Sequence, residues 1–398
     1  MENKTKMAAS LLVAFAAGAA HAQVRPAYSY PGESGRGAVN IAGTPLYITP
    51  YVGLGIGRDD NVLLQPNNER SSTYWVLSPG FMIDARTSNV VFLAKYQASI
   101  GRYAQSDDDN YVDHAARTQF DFAFDRRNFL RVGLDWVRGH DPRGSTDRAI
   151  SNRPDIYRLT SPNVTYAFGA PGARGRVEVY AAEADRRYLN NRAITQFSDR
   201  EVLEYGGVLY IRAAPKTYVL AEVRQSEIAY RLPNASNGEE RRFFGGVSWE
   251  ATAATTGTIK AGRLERESDI GVEDSATSWE ASVSWAPRTY SKFDFATART
   301  TTESTGLGRF ILSSIAGVTW THAWNSYLST GVDFRYQKDQ YQGFPRTDET
   351  RTLGLKAGYK FRRWLTLGAE FSHSSRDSNL PSSDYDKNLY LLTATASM

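Results

Sequence analysis

The stretch 119–136, QFDFAFDRRNFLRVGLDW, contains two runs in which apolar and polar residues alternate. Three phenylalanines occupy every second position of the first run, and Leu130, Val132, Leu134 and Trp136 do the same in the second. A period of two indicates a β-strand with one apolar face and one polar face. The short polar break between the runs predicts a tight antiparallel hairpin.

The same unit recurs along the chain, which predicts eighteen antiparallel strands between residues 46 and 398. Connections after odd-numbered strands are mostly long and polar, as at 58–71, 140–156 and 338–348. Connections after even-numbered strands are short, as at 125–128 and 362–363. A soluble sandwich has no reason to sort its loops in this way, whereas outer-membrane barrels have short periplasmic turns and longer outer loops. We therefore predict an all-β transmembrane barrel with both termini on the periplasmic side.

Aromatic side chains near the strand ends favour the barrel, because Tyr and Trp concentrate at the two interfaces of a bilayer. The predicted belt near the long loops consists of Trp75, Tyr103, Tyr230 and Tyr336. The predicted belt near the short turns consists of Phe168, Trp249, Trp285, Trp320, Phe361 and Trp364.

Charged residues fall on the opposite face of the predicted strands. A Lys or Arg on the lipid face near the midplane destabilises the barrel by roughly 2–4 kcal/mol, so we place the charged residues in a hydrated lumen. The predicted pore-lining residues are Lys95, Asp121, Arg131, Asp135, Glu204, Arg212, Glu222, Arg224, Glu280, Lys292, Asp294, Asp333, Arg335, Lys356 and Lys360. The two signs are nearly balanced, which predicts an aqueous channel without strong ion selectivity.

Composition excludes several other classes of protein. The 398 residues have a mean hydropathy of −0.46 and include no cysteine, which argues against a disulfide scaffold or a thiolate metal site. No apolar run after residue 22 is long enough to cross a membrane as a helix. The formal charge of +4 is small, and no basic block of the kind that binds nucleic acid is present.

The first 22 residues have the pattern of a secretory signal. Lys4 and Lys6 precede a short apolar segment, and the sequence Ala-His-Ala ends at Ala22, the predicted cleavage site. Residues 23–45 are rich in Pro and Gly and predict a flexible periplasmic segment. Residues 46–398 would form the barrel. These features predict Sec-dependent export to a bacterial outer membrane, with its lipid and the barrel assembly machinery as partners.

No motif predicts an enzyme, a cofactor or a metal site. Glu370, His373 and Ser374 lie close together, but on a strand His373 would point away from the other two. The acidic stretches 59–60 and 107–109 lack a complete calcium-ligand spacing and are better explained as solvated loop charge.

Two passages resemble the putative β-barrel porin 2 family. The first is TPYVG at 49–53, which continues to RDDNVL at 58–63. The second, RPDIYR at 153–158 followed by YAFGAPGARGR at 166–176, is similar to the EpsL-type branch associated with extracellular polysaccharide biosynthesis. The resemblance implies an outer-membrane channel that helps to export a polysaccharide chain, with periplasmic polysaccharide-export proteins as partners and no catalytic residues. One departure is the C-terminus, Ala-Ser-Met, where such barrels usually end in an aromatic residue.

The predicted function is therefore passive passage of a polysaccharide through a hydrated lumen. A general or sugar-specific diffusion porin is the main alternative, and an inward stack of aromatic residues would favour it. The sequence places few aromatic residues at inward positions, chiefly Tyr180, Tyr210 and Phe244. A structural or adhesive barrel with a closed lumen is the third possibility. The length of 140–156 suggests the further hypothesis that this loop folds inward and gates the pore.

Overall fold

The computed structural model describes residues 38–41, 43–170, 172–232, 237–250 and 254–397 of the chain. The predicted signal peptide lies outside the described residues, and so does most of 23–45. The described end of that segment contains a short strand, β1 (Val39–Asn40), which pairs with Tyr47 and Ile48. The part of the predicted tether next to the barrel is thus held by backbone hydrogen bonds.

Eighteen further strands form one antiparallel sheet in which each strand pairs with its neighbours in sequence. Strand β19 pairs with β2, from Leu389 opposite Asp59 to Ser397 opposite Tyr51, and this pairing closes the barrel. Closure removes every long sheet edge. The strands are β2 (Leu46–Asp59), β3 (Ser72–Arg86), β4 (Val90–Tyr103), β5 (Tyr111–Ala123), β6 (Asn128–Asp141), β7 (Asp155–Phe168), β8 (Gly175–Tyr188), β9 (Arg200–Ala214), β10 (Thr217–Tyr230), β11 (Gly238–Trp249), β12 (Thr255–Ser268), β13 (Glu273–Arg288), β14 (Ser291–Glu303), β15 (Phe310–Ala323), β16 (Leu328–Gln342), β17 (Thr347–Arg362), β18 (Leu365–Ser378) and β19 (Tyr385–Ser397).

The closed eighteen-strand barrel confirms the predicted fold, and the sorting of connections into a loop end and a turn end also holds. The prediction of a long loop at 338–348 is wrong, because β16 extends to Gln342 and β17 begins at Thr347. Lys338 donates a hydrogen bond of 2.8 Å to the directly opposite Glu349, and this cross-strand pair favours longer strands over a loop.

The inward face is identified by contacts between strands that are not neighbours. Lys260 on β12 reaches Glu222 on β10 at 2.5 Å, and Arg224 on β10 reaches Glu280 on β13 at 2.9 Å. Such contacts form across the concave side of a curved sheet, so these residues point inward. The continuous register then assigns the inward face of every other strand.

The opposite face is apolar and exposed. Val219 and Val223 alternate with inward Leu220 and Glu222 on β10, and their relative exposures are 49% and 54%. Leu54, Ile56 and many similar side chains on other strands show the same exposure. An apolar outer band around a polar interior is the arrangement of a membrane barrel.

The predicted aromatic belts are partly wrong. Trp75 is 45% exposed on the outer face near the loop end. Tyr103, however, packs against Tyr74 at 5.4 Å between ring centroids, in the cluster that lines the inner wall. Tyr230 is buried and hydrogen-bonded to Glu303 of β14. Tyr103 and Tyr230 therefore belong to the lumen.

The hairpin that decides the fold has a locally determined turn. The Asp125 carboxylate accepts hydrogen bonds from the backbone N–H of Arg127 at 2.6 Å and of Asn128 at 2.9 Å. These bonds satisfy donors that the turn would otherwise leave open. Among the described residues, no helix is both long and apolar enough to cross a membrane.

Candidate functional site: the lumen

The register places all fifteen predicted pore-lining residues at inward-facing positions of their strands. Most lie in the middle of the barrel or towards the turn end, and Arg212, Lys292 and Lys360 lie nearest the turns. Their part in transport stays a prediction, since the geometry gives position alone.

Part of the inner wall carries half-exposed ion pairs between neighbouring strands. Arg131 on β6 lies opposite Asp121 on β5, and their nearest atoms are 2.6 Å apart. Two inward positions further along the strands, Arg117 contacts Asp135 at 2.5 Å. These pairs leave a polar surface with little net charge.

The wall formed by β10 to β13 is packed more tightly. The Lys260 ammonium lies between the carboxylates of Glu222, at 2.5 Å, and Glu280, at 2.7 Å. Arg224 binds the same two carboxylates at 2.6 and 2.9 Å. All four side chains are 13% exposed or less, so the two positive and two negative charges neutralise each other away from bulk water.

This cluster continues towards the loop end through residues that were not predicted. Arg242 pairs with Glu240, and Arg266 pairs with Glu303 at 2.7 Å. Arg242 on β11, and Lys260 and Arg266 on β12, all lie at inward positions, so a consistent count of alternation along these two strands finds them.

Tyrosines line the lumen more extensively than the sequence suggested. Besides Tyr180, Tyr210 and Phe244, the rings at inward positions near the loop end form packed pairs on neighbouring strands. The additional inward tyrosines include Tyr51, Tyr74, Tyr103, Tyr111, Tyr157, Tyr188, Tyr230 and Tyr341. The Tyr157 and Tyr188 rings lie 6.2 Å apart, and the Arg186 guanidinium lies 3.9 Å from the Tyr157 ring centroid.

The connection between β6 and β7, residues 142–154, lies against several other loops. The Arg143 guanidinium donates two hydrogen bonds to Asp109, of 2.8 and 2.6 Å, and both side chains are buried. The Asp109 carboxylate raises the pKa of this guanidinium. Gly144 has φ +78°, and a Cβ there would collide with the carbonyl oxygen of Leu63, so glycine allows the close approach to the loop after β2.

The same loop reaches the far side of the barrel. Asp147 accepts hydrogen bonds from the Tyr341 hydroxyl at 2.7 Å and from Arg346 at 3.0 Å, and its backbone N–H donates to Thr305 at 3.1 Å. Nine strands separate β6 from β16 in one direction around the barrel and seven in the other. Residues 142–154, hereafter the bridging loop, therefore span the loop-end mouth.

The other chemical candidates have structural explanations. Glu370 and Ser374 occupy inward positions, whereas His373 binds Asn388 at 2.9 Å on the other face, as strand parity predicts. Asp109, in the acidic stretch 107–109, forms an ion pair with Arg143. Within the described residues, no group of three or more His, Asp or Glu side chains is arranged to hold a metal ion.

Comparison with known proteins agrees with the geometry. The profile of the family described as "Putative beta-barrel porin 2" matches residues 42–398. Among solved structures, the outer membrane protein OpdK from Pseudomonas aeruginosa has a TM-score of 0.51 at 12% identity, covering 88% of this chain and 99% of that one. A BenF-like porin from Pseudomonas fluorescens Pf-5 has a TM-score of 0.50 at 8% identity, covering 89% and 99%. At these identities the likeness concerns the fold alone.

A match to the FrpB iron transporter from Neisseria meningitidis has a TM-score of 0.44 at 12% identity and covers 82% of this chain. The chain spans only 62% of that protein's length. No curated protein sequence matches significantly. With the family match over nearly all of the barrel, the apolar outer band and the polar lumen, the chain belongs to the Putative beta-barrel porin 2 family and is an outer-membrane β-barrel channel.

Proposed function

We propose that this barrel is the outer-membrane channel for export of an extracellular polysaccharide. The observation that carries the proposal is the composition of the inner wall, where charges are largely paired within the wall and alternate with tyrosine rings. The fifteen pore-lining residues include eight basic and seven acidic side chains. A wall of this kind neither attracts nor repels small ions strongly. It offers hydrogen-bonding groups and flat apolar rings, which match the hydroxyl groups and the apolar ring faces of a sugar chain.

The resemblance to the EpsL-type branch supports the same substrate class. Periplasmic polysaccharide-export proteins are the partners that this proposal requires, since a barrel without a catalytic site supplies no energy for directional transport. The bridging loop would then act as the gate, moving away from the mouth when a chain passes.

Deletion of the gene tests the proposal, with secreted and surface polysaccharide quantified against a complemented strain. We expect polysaccharide to be lost from the surface while permeability to small solutes is unchanged. Complementation with a chain lacking the bridging loop should restore export. Unchanged surface polysaccharide in the deletion strain would contradict the proposal.

A sugar-specific diffusion porin is the second candidate, and the additional inward tyrosines favour it over an ion-selective porin. One structure similar to this chain is OpdK with vanillate, so the fold accommodates small-solute channels. The two candidates differ in bilayer conductance, because short maltodextrins would interrupt the current of a sugar porin at millimolar concentration. An export channel held shut by its loop would give little current and few interruptions.

A further inference from the structure

Three arginines lie side by side on the outer face near the loop end. Arg138 of β6 is directly opposite Arg158 of β7, and Arg158 is directly opposite Arg187 of β8. Directly opposite residues have Cβ atoms about 4.5–5.5 Å apart, and like charges in this arrangement destabilise a sheet. An anion bound against the row would relieve this repulsion.

The row points towards the membrane and away from the lumen. The positions that follow Arg138 and precede Arg158, Gly139 and Tyr157, face inward, because a Cβ at Gly139 would touch the Tyr157 ring and Arg186 covers that ring from inside. Arg138 and Arg158 therefore project outward, and both are exposed.

Height along the barrel places the row at the edge of the apolar band. Trp136, the next outward residue below Arg138, still belongs to that band, as does Val164 on β7, which is 40% exposed. Above the row lie the long loops, which face the cell exterior in outer-membrane barrels. The arginines are thus at the level of the lipid headgroups of the outer leaflet.

Protein carboxylates neutralise only part of this charge. Arg187 binds Asp185 at 3.0 Å, and Arg231, from the loop after β10, binds the same carboxylate at 3.1 Å and Glu201 at 3.6 Å. The side chains of Arg138 and Arg158 make no hydrogen bond or ion pair with any residue that the structure describes. The other outward acid of β8, Glu183, lies two positions nearer the turn end than Asp185.

A second row of like charge lies on the outer face of β10 to β13 and is acidic, with Glu227 opposite Glu239, Glu239 opposite Glu267 and Glu267 opposite Glu273. Arg241 on β11 is directly opposite Glu265 on β12, and Arg263 binds Glu265 at 2.9 Å. Lys338 is opposite Glu349 in the same way. The arginine row of β6 to β8 is the basic counterpart of the glutamate row, and of the two rows it is the one that attracts anions.

A cavity of about 440 Å³ adjoins the row. Its lining includes Arg158, Arg187, Arg192 and Arg231, with Asp199 as the acidic member bound to Arg192 at 2.8 Å. Several guanidinium groups that converge on one cavity suit the oxygens of a phosphate, which accept paired hydrogen bonds from arginine.

We propose that this cavity and the row Arg138–Arg158–Arg187 bind the phosphate of an anionic lipid headgroup in the outer leaflet, that is, the phosphorylated sugar of lipopolysaccharide. The site is independent of the lumen and of the substrate that the channel carries. It anchors the β6–β7 hairpin, whose connection is the bridging loop, to the surrounding membrane.

The test compares the full-length chain with the double variant R138Q/R158Q and with the matched control R241Q/R263Q, which removes two outward arginines that have acidic partners. Each protein is purified in mild detergent, and bound lipopolysaccharide is measured by native mass spectrometry. Dissociation constants are then measured for lipopolysaccharide, its dephosphorylated form, phosphatidylcholine and inorganic phosphate. Heat-modifiable migration on gels verifies folding, and the Arg158→Lys variant retains the charge while losing the forked donor.

We expect the wild type and the control to bind phosphorylated lipopolysaccharide with equal affinity. The affinity of R138Q/R158Q should be lower by a factor of about ten or more. R158K should fall between them. Equal binding of the dephosphorylated form, or an unchanged affinity in R138Q/R158Q, would overturn the proposal. Displacement of the lipid by inorganic phosphate at a similar concentration would overturn the assignment to a lipid source.

Discussion

The two ends of this barrel are built in different ways. At the loop end, buried ion pairs join segments far apart in the chain, such as Arg143 with Asp109 and Arg346 with Asp147. At the turn end, neighbouring strands are joined by short turns, and the charges are exposed, as in the pair Lys292–Asp294 with side chains 54% and 43% exposed. The comparison teaches that the turn end is set by local sequence, whereas the loop end depends on contacts across the whole barrel.

Among the changes that test this difference between the two ends, replacement of residues 142–154 by a short Gly-Ser turn should have the largest effect, an increase in single-channel conductance. Asp141 and Asp155 are already paired across β6 and β7, so a short turn can close the hairpin. Removing the bridging loop frees the loop-end mouth, and we expect single-channel conductance to rise severalfold. Planar-bilayer recording measures it.

The variant Asp147→Ala provides a milder form of the same change. It removes the contact with Tyr341 and Arg346 but keeps the loop, so the channel should show more frequent brief openings with unchanged full conductance. Conductance that stays at the wild-type level after the whole loop has been replaced would contradict the gating hypothesis.

Two lysines at inward positions allow a second comparison, on stability. Lys260→Met leaves Glu222 and Glu280 close together with less positive charge between them, and removing one partner of a buried ion pair costs about 3–5 kcal/mol. Lys292→Met removes an exposed pair, which contributes about 0–1 kcal/mol. Urea unfolding of the two variants in the same detergent measures both values. Equal losses would show that the β10–β13 cluster does not stabilise the barrel.

Sequence-based prediction succeeds for features that depend on local sequence and fails for those that depend on contacts across the barrel. The β5–β6 hairpin was predictable because alternation and a turn residue such as Asp125 act locally. The same alternation gives the inward positions of Tyr103 and Tyr230, which share the faces of Lys95 on β4 and Glu222 on β10. The predicted belt misplaced them because a tyrosine at a strand end fits both a bilayer interface and a hydrated interior. The contact between Asp147 and Tyr341 joins residues 194 positions apart, and no periodic pattern encodes it.

The smallest expected effect concerns two matched turns at the turn end. Asp125 and Asn325 occupy equivalent places, and the Asn325 side chain likewise accepts hydrogen bonds from two backbone N–H groups, of Tyr327 and Leu328, both at 2.8 Å. The bond from the Arg127 backbone N–H to the Asp125 carboxylate lowers the pKa of that group. A lowered folded-state pKa means that the carboxylate stabilises the fold above its unfolded pKa of about 3.9 and loses this contribution as the pH falls through the folded value.

We therefore expect Asp125→Ala to lower the urea midpoint slightly at pH 7 and to have a progressively smaller effect below about pH 4. Asn325→Ala removes a neutral cap of the same geometry, so its effect should be the same at every pH. Measuring both differences from wild type at each pH cancels the titration of all other groups. A pH-independent difference for Asp125→Ala would mean that the turn is held by its backbone bond between Phe124 and Asn128 and not by the charge of the carboxylate.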